Sequence, residues 1–158
     1  IGAERIGEAL EGKPGFNSMK VIPFDRSNFT REEGALRSTV PEFSFGVRKV
    51  DMVLTFRNQH SFDATGRAHV NQAAFEALKK GGFYGVVDHT KRHMEDTTEE
   101  SRRRMDPVLI IKEVQAAGFE LLDYSTLHYR RDDELLYEVG RRTVAGNTDR
   151  FTLLFKRP

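Results

Sequence analysis

The sequence predicts an α/β fold built on a mostly parallel sheet, and three observations carry that prediction. Apolar runs of strand length recur at Val50–Phe56, Phe83–Val87, Phe119–Leu127 and Phe151–Phe155. Helical stripes separate the first three runs, the order expected of strand–helix–strand units. The run from Val50 to Phe56 is nearly continuous, without clean alternation, which is the pattern of a strand buried on both faces.

The 158 residues suffice for one domain with a real core, and we treat 1–158 as that domain. Hydrophobic residues make up 38% and charged residues 31%, a globular rather than a disordered composition. A net charge of +1 gives no electrostatic case for nucleic acid or an anionic membrane surface. No apolar run is long enough to cross a bilayer. The absence of cysteine excludes disulfides and thiolate metal sites and fits a soluble protein of a reducing compartment, cytoplasm or organelle matrix. No signal-peptide pattern follows Ile1.

In chain order, residues 3–11 read as a helix, with Ile6 and Leu10 one turn apart and Gly12 as its stop. Met19 to Phe24 reads as a short strand with Asp25 at its end. Residues 26–48 are irregular, broken by Gly34, Pro41 and Gly46. Residues 66–80 form a helix with a Val70, Ala74, Ala77 and Leu78 stripe, ended by Gly81-Gly82. Residues 91–105 are dense in charge and read as a solvated surface loop, with a mobile lid as the functional alternative. Asp106-Pro107 opens a helix that Gly118 closes. Within the polar stretch 128–149, Leu135, Leu136 and Val139 predict a short helix.

Two strands end in polar groups. Val50–Phe56 runs into Arg57, Asn58 and His60; Phe83–Val87 runs into Asp88 and His89. In open α/β sheets ligands bind beyond the carboxyl ends of the strands, so Asn58, His60 and Asp88 are expected to converge at one rim. His60 is the candidate base, because an imidazole titrates near neutrality; a ring that merely caps the strand end is an equal alternative. Asn58 suits either a substrate amide or a structural turn. Arg57 is expected to pair with a carboxylate, a ligand's or that of Asp88. His89 and His93 have i, i+4 spacing, but no third ligand stands at metal-binding distance in sequence.

The segments LTFRNQH, ALKKGG, VVDH, AAGFELL and NTDRFTLLFKRP, in this order, resemble class I S-adenosylmethionine-dependent methyltransferases, and more narrowly a bacterial-type branch with a TFRN-x-H segment after the fourth strand. The resemblance implies a Rossmann-like doubly wound sheet of order 3-2-1-4-5-7-6 with an antiparallel last strand. It places Met19–Phe24 as the third strand and Val50–Phe56 as the fourth. It implies that Phe24 and Asp25 lie near the cofactor's adenine and that Arg57, Asn58 and His60 lie near its methionine end. Asp88 and His89 fall where substrate contacts are usual. The family's Gly-rich turn and acidic ribose anchor, which belong to its first two strands, have no counterpart here: no Gly-x-Gly occurs. The chain alone is therefore expected to bind S-adenosylmethionine weakly or not at all. Two functions remain open, a methyltransferase acting on an unassigned acceptor and a catalytically inactive structural subunit. The strand Val50–Phe56 is expected to present an unpaired edge that another chain, or a second copy in a homo-oligomer, covers.

Overall fold

The structure is a computed structural model that describes residues 2–16, 19, 20, 22 and 25–158. Helix α1 spans Gly2–Leu10. Of the expected strand Met19–Phe24, residues Met19, Lys20 and Ile22 are in no strand, and Val21, Pro23 and Phe24 lie outside the described residues. The sheet begins at β1, Val50–Phe56. It continues after α2 (Ala64–Ala77) with β2 (Leu78–His89), and after α3 (Pro107–Ala116) with β3 (Glu120–Ser125) and β4 (Arg150–Lys156).

The strand order is β1-β2-β4-β3. β1 and β2 run parallel, whereas β4 is antiparallel to both β2 and β3. Three strands thus share one direction and the last, inserted between β2 and β3, opposes them. This is a partial Rossmann-like sheet. β1 is an edge: among the described residues no strand pairs with its outer side.

Local chemistry sets the helix ends. The Asp63 carboxylate accepts the Gly66 N–H at 2.7 Å, capping α2. Asp106 accepts the Val108 N–H at 2.9 Å, and Pro107 fills the first turn of α3. Arg157 closes the other end of α2. It donates to the Phe75 carbonyl at 2.6 Å and stacks over the Phe75 ring, so the cation meets the negative end of the helix. The expected stop at Gly81-Gly82 comes earlier: α2 ends at Ala77, and the chain passes directly into β2.

Helices α2 and α3 pack on one face of the sheet. There Tyr84, Val86, Leu153 and Phe155 meet Ile110, Val114 and Phe119 in a closed core. Among the described residues the opposite face is open along β1. Met52, Leu54 and Phe56 alternate along β1 and are all exposed, Phe56 by 55%. This corrects the expectation of a strand buried on both faces: the apolar run is real, but no helix of the described residues lies over its second face. The 128–149 stretch is a further correction. It contains turns and no helix, because its order comes from a buried ion pair rather than an apolar stripe. Arg104 donates to both carboxylate oxygens of Asp133, at 2.8 and 3.0 Å, and both side chains are fully buried. The same contact corrects the reading of 91–105 as a solvated loop, since Lys91, Ser101 and Arg104 are all buried.

Candidate functional site

The site is built where β1 and β2 end side by side. The last ladder bond runs from the Arg57 N–H to the Val87 carbonyl at 2.8 Å. Arg57 then turns left-handed, with φ +53, a conformation that costs a side-chain-bearing residue about 1 kcal/mol. The turn swings residues Gln59–Ser61 into a 3-10 turn across the end of β2. There His60 meets Asp88, Nδ1 to Oδ1 at 2.7 Å. The Asp88 carboxylate is fully buried and also accepts the backbone N–H groups of His60 and His89, at 3.1 and 2.8 Å. A carboxylate at Nδ1 sets the tautomer: the proton sits on Nδ1, and the Nε2 lone pair is free to take another.

A buried polar triangle holds this turn from below. Gln59 Nε2 donates to Asn71 Oδ1 at 3.2 Å and to the Tyr84 hydroxyl oxygen at 3.0 Å, and that hydroxyl donates to Asn71 Oδ1 at 3.1 Å. Burial pushes the Tyr84 phenol well above its usual range, so it stays a neutral donor. Gln59 fixes the turn to β2 and α2, and His60 is placed by its neighbour's anchorage.

His89 points elsewhere. Its Nδ1 meets the Thr148 hydroxyl at 2.9 Å, and its ring stands 6.3 Å from that of His60. Burial holds its pKa down at about 4; the Asp88 charge opposes this, while Arg150, His60 and Arg104 add to it. His89 is thus neutral at neutral pH. His93 binds Asp106 at 2.8 Å, so the two histidines of the i, i+4 pair face different partners.

The remaining sequence candidates are not drawn into this cluster. Asn58 is exposed, and its side chain makes no capping hydrogen bond; only its carbonyl takes part, accepting the Ser61 N–H. Arg57 is exposed and does not pair with Asp88, which His60 already occupies. Asp25 is exposed and turned onto its own loop, accepting the Ser27 N–H and hydroxyl, which lower its pKa. Phe24 lies outside the described residues. Sequence reasoning missed Gln59, Asn71 and Thr148. For Asn71 there was a signal: it lies three residues before Ala74 on the buried stripe of α2, a polar group where an apolar one is expected.

The sequence matches no protein-family profile and no curated protein. The fold has solved relatives. One is a S-adenosylmethionine-dependent methyltransferase from Methanosarcina mazei, with TM-score 0.51 and 13% identity over 72% of this chain and 63% of that one. Another is the [4+2]-cyclase SpnF, with TM-score 0.52 and 15% identity over 74% of this chain and 53% of that one. The fold is that of the class I S-adenosylmethionine-dependent methyltransferases. The chain spans 53% to 63% of the length of these two relatives. One of them is a cyclase, so this fold serves more than one reaction.

Among the described residues, two carboxylates expected at the site are already engaged by the chain itself. Asp25, the acidic group nearest in sequence to the expected adenine side, is occupied by Ser27. Asp88 is enclosed by three hydrogen bonds from the chain itself. What the rim does offer is a histidine with a free Nε2, 11% exposed at its side chain.

Proposed function

We propose that these residues form the acceptor-side half of a S-adenosylmethionine-dependent methyltransferase, with His60 as the general base and Asp88 as the residue that orients it. The observation that carries this reading is the 2.7 Å His60–Asp88 contact at the carboxyl ends of adjacent parallel strands, in a fold shared with such enzymes. Buried Asp88 holds the imidazole and stabilises the imidazolium; His60 Nε2 takes the proton from an O–H or N–H acceptor. Asn58 and Arg57, exposed beside it, are assigned to ligand contact, and so is Asp25 with its sequence neighbour Phe24 on the adenine side, where a ligand would displace the Ser27 contacts that Asp25 now makes. His89 is assigned to the substrate side, through the neutral ring that Thr148 fixes. On this reading the rest of the cofactor cradle is supplied from outside the acceptor-side half, and turnover depends on it.

Calorimetric titration of S-adenosylmethionine into the purified chain tests this. Weak binding, competed by S-adenosylhomocysteine, is the expected result. Tight saturable binding would show that the cradle is complete and overturn the half-site reading. In any preparation that transfers methyl groups, His60→Ala is expected to lower kcat by roughly 100-fold or more, the ordinary weight of a general base.

A second reading, a structural subunit without catalysis, is favoured by one specific feature: the bare apolar face of β1 next to an unpaired strand edge. In both readings another chain or a second copy covers that edge. Complete absence of cofactor binding would select the subunit.

A further inference from the structure

Every strongly buried arginine described so far has its own carboxylate. Arg67 is bidentate to Glu113, both contacts at 2.7 Å, and Arg104 is bidentate to Asp133. Next to the His60 turn this pattern fails. Arg37 and Lys91 share one hydrogen-bond partner, Thr97, and neither forms an ion pair with a carboxylate among the described residues. Lys91 is only 7% exposed. Its ammonium donates to two neutral oxygens, the Glu95 carbonyl at 2.6 Å and Thr97 Oγ1 at 3.0 Å. Arg37 Nη2 reaches the same Thr97 oxygen at 3.5 Å, and Arg37 Nε is buried with no acceptor at all. Two cations therefore converge on one hydroxyl. Burial and each other's proximity lower the pKa of Lys91, and burial and Arg67 lower that of Arg37. Burying charge without a counter-ion is costly.

Arg37 lines a cleft of about 310 Å3 together with Thr39, Asp63 and Thr97 among others; Lys91 does not line it but donates to Thr97, which does. The acidic groups there are not their partners. Asp63 is taken by Thr39 and by the α2 cap. Glu32 is exposed on the outer wall. Asp106, Glu95 and Asp96 act on Lys91 at a distance, and Glu113 and Asp88 on Arg37, without forming an ion pair with either; one buried carboxylate oxygen of Glu95 has no partner. The cleft adjoins the candidate base. The Ser38 N–H donates to the Ser61 carbonyl at 3.0 Å, so the strip carrying Arg37 runs against the turn carrying His60. Lys91 follows His89 by two residues and is fixed by its N–H to the Met105 carbonyl at 2.8 Å.

We propose that Arg37 and Lys91, with Thr97, form a subsite for a compact oxyanion, a carboxylate or phosphate group, carried by the molecule that His60 deprotonates. The unmatched Arg37 N–H and the ammonium supply donors, and the anion supplies the charge the protein leaves out. The acceptor is thus an acidic small molecule or an acidic side chain. That last step rests on the methyltransferase reading; the oxyanion subsite itself does not.

The test is thermal melting and calorimetry of the full 158-residue chain against inorganic phosphate and, separately, succinate. A saturable rise in melting temperature with either probe is expected. Its apparent affinity should fall at least about tenfold in Arg37→Gln and in Lys91→Met, and stay unchanged in Arg92→Gln, an exposed cation one position after Lys91 in the chain. Without anion, Lys91→Met should melt about 2 °C or more above the parent, since it removes a buried charge that lacks a carboxylate partner; that melt also reports whether the variant folds. No saturable rise with either probe, or equal affinity in the parent and both variants, overturns the proposal. Anion binding at these residues with no response to S-adenosylmethionine would keep the subsite and sink the methyltransferase reading. Cofactor binding without anion binding would sink the subsite alone.

Discussion

The two faces of the sheet use the same kind of residue and meet opposite surroundings. On the covered face Tyr84, Val86, Leu153 and Phe155 are closed over by α2, α3 and Phe119. On the other face Met52, Leu54 and Phe56 project from the edge strand, with Phe83 beside Met52 in register, and all four are exposed. Leu54 lies flat over Gly85, whose missing side chain leaves room for it. Contiguous exposed apolar side chains on an edge strand are a pattern found at interfaces. The contrast teaches that the apolar content of a strand reports what it is built to contact. Whether these particular residues supply that contact is a separate matter.

The covered face should give the largest effect. Phe155 is fully buried between Tyr84 and Phe119. Phe155→Ala is expected to cost about 3–5 kcal/mol, read as a lower denaturant midpoint. A cost under about 1 kcal/mol would mean that the core is looser than the packing shows. On the same side, Glu113→Ala leaves the Arg67 guanidinium buried, with only the Phe62 carbonyl as a partner. It should cost about 2 kcal/mol, less than a fully enclosed pair because Glu113 keeps some exposure.

The site at the end of the covered face adds a pH signature. His89 has its pKa lowered to about 4 when folded, first by burial. The unfolded chain takes up its proton near the ordinary value of about 6.5. The folded state prefers the neutral ring, so stability is full above that range and falls as pH drops from about 6.5 toward 4, on the order of 2 kcal/mol in all. His89→Gln should flatten this limb of the stability profile, measured by denaturant unfolding at several pH values. An unchanged slope would move the acid sensitivity to other groups.

Most of the scaffold was legible because local chemistry decided it. Asp63 and Asp106 cap the helices whose starts they signal, and the runs at Phe83–Val87 and Phe151–Phe155 are strands. The pairing of strand ends was legible too, since two parallel strands that end in polar groups bring those groups to one rim. What was not legible depends on distant partners. Arg104 sits in a charge-dense run that looks solvated, and only Asp133, far along the chain, makes it a core residue. Arg37 stands in an irregular stretch with no pattern, and its meeting with Lys91 follows from how the 26–48 connection lies against the His60 turn. Arg57 was expected to take a carboxylate, but its left-handed turn sends the chain onward so that His60 arrives at Asp88 first.

The smallest expected effect decides the comparison of the faces. Phe56 carries the same side chain as Phe155 at the same kind of position, an apolar residue on a strand, but it is 55% exposed. Truncating an exposed side chain removes little buried area and opens no cavity, so Phe56→Ala should change the stability of the isolated chain by less than about 0.5 kcal/mol. The measurement must be made at several protein concentrations. If a second copy covers β1 in solution, Phe56 is buried in the associated form. The substitution would then lower the melting temperature at high concentration and not at low, because stability gained by association depends on concentration. Light scattering on the same samples would show the parent heavier than a monomer and the variant shifted toward it. A concentration-independent loss matching that of Phe155→Ala would mean instead that another part of the chain itself closes over β1. A monomer indifferent to the change would leave the bare face awaiting a different partner, the arrangement that both functional readings predict for the isolated chain.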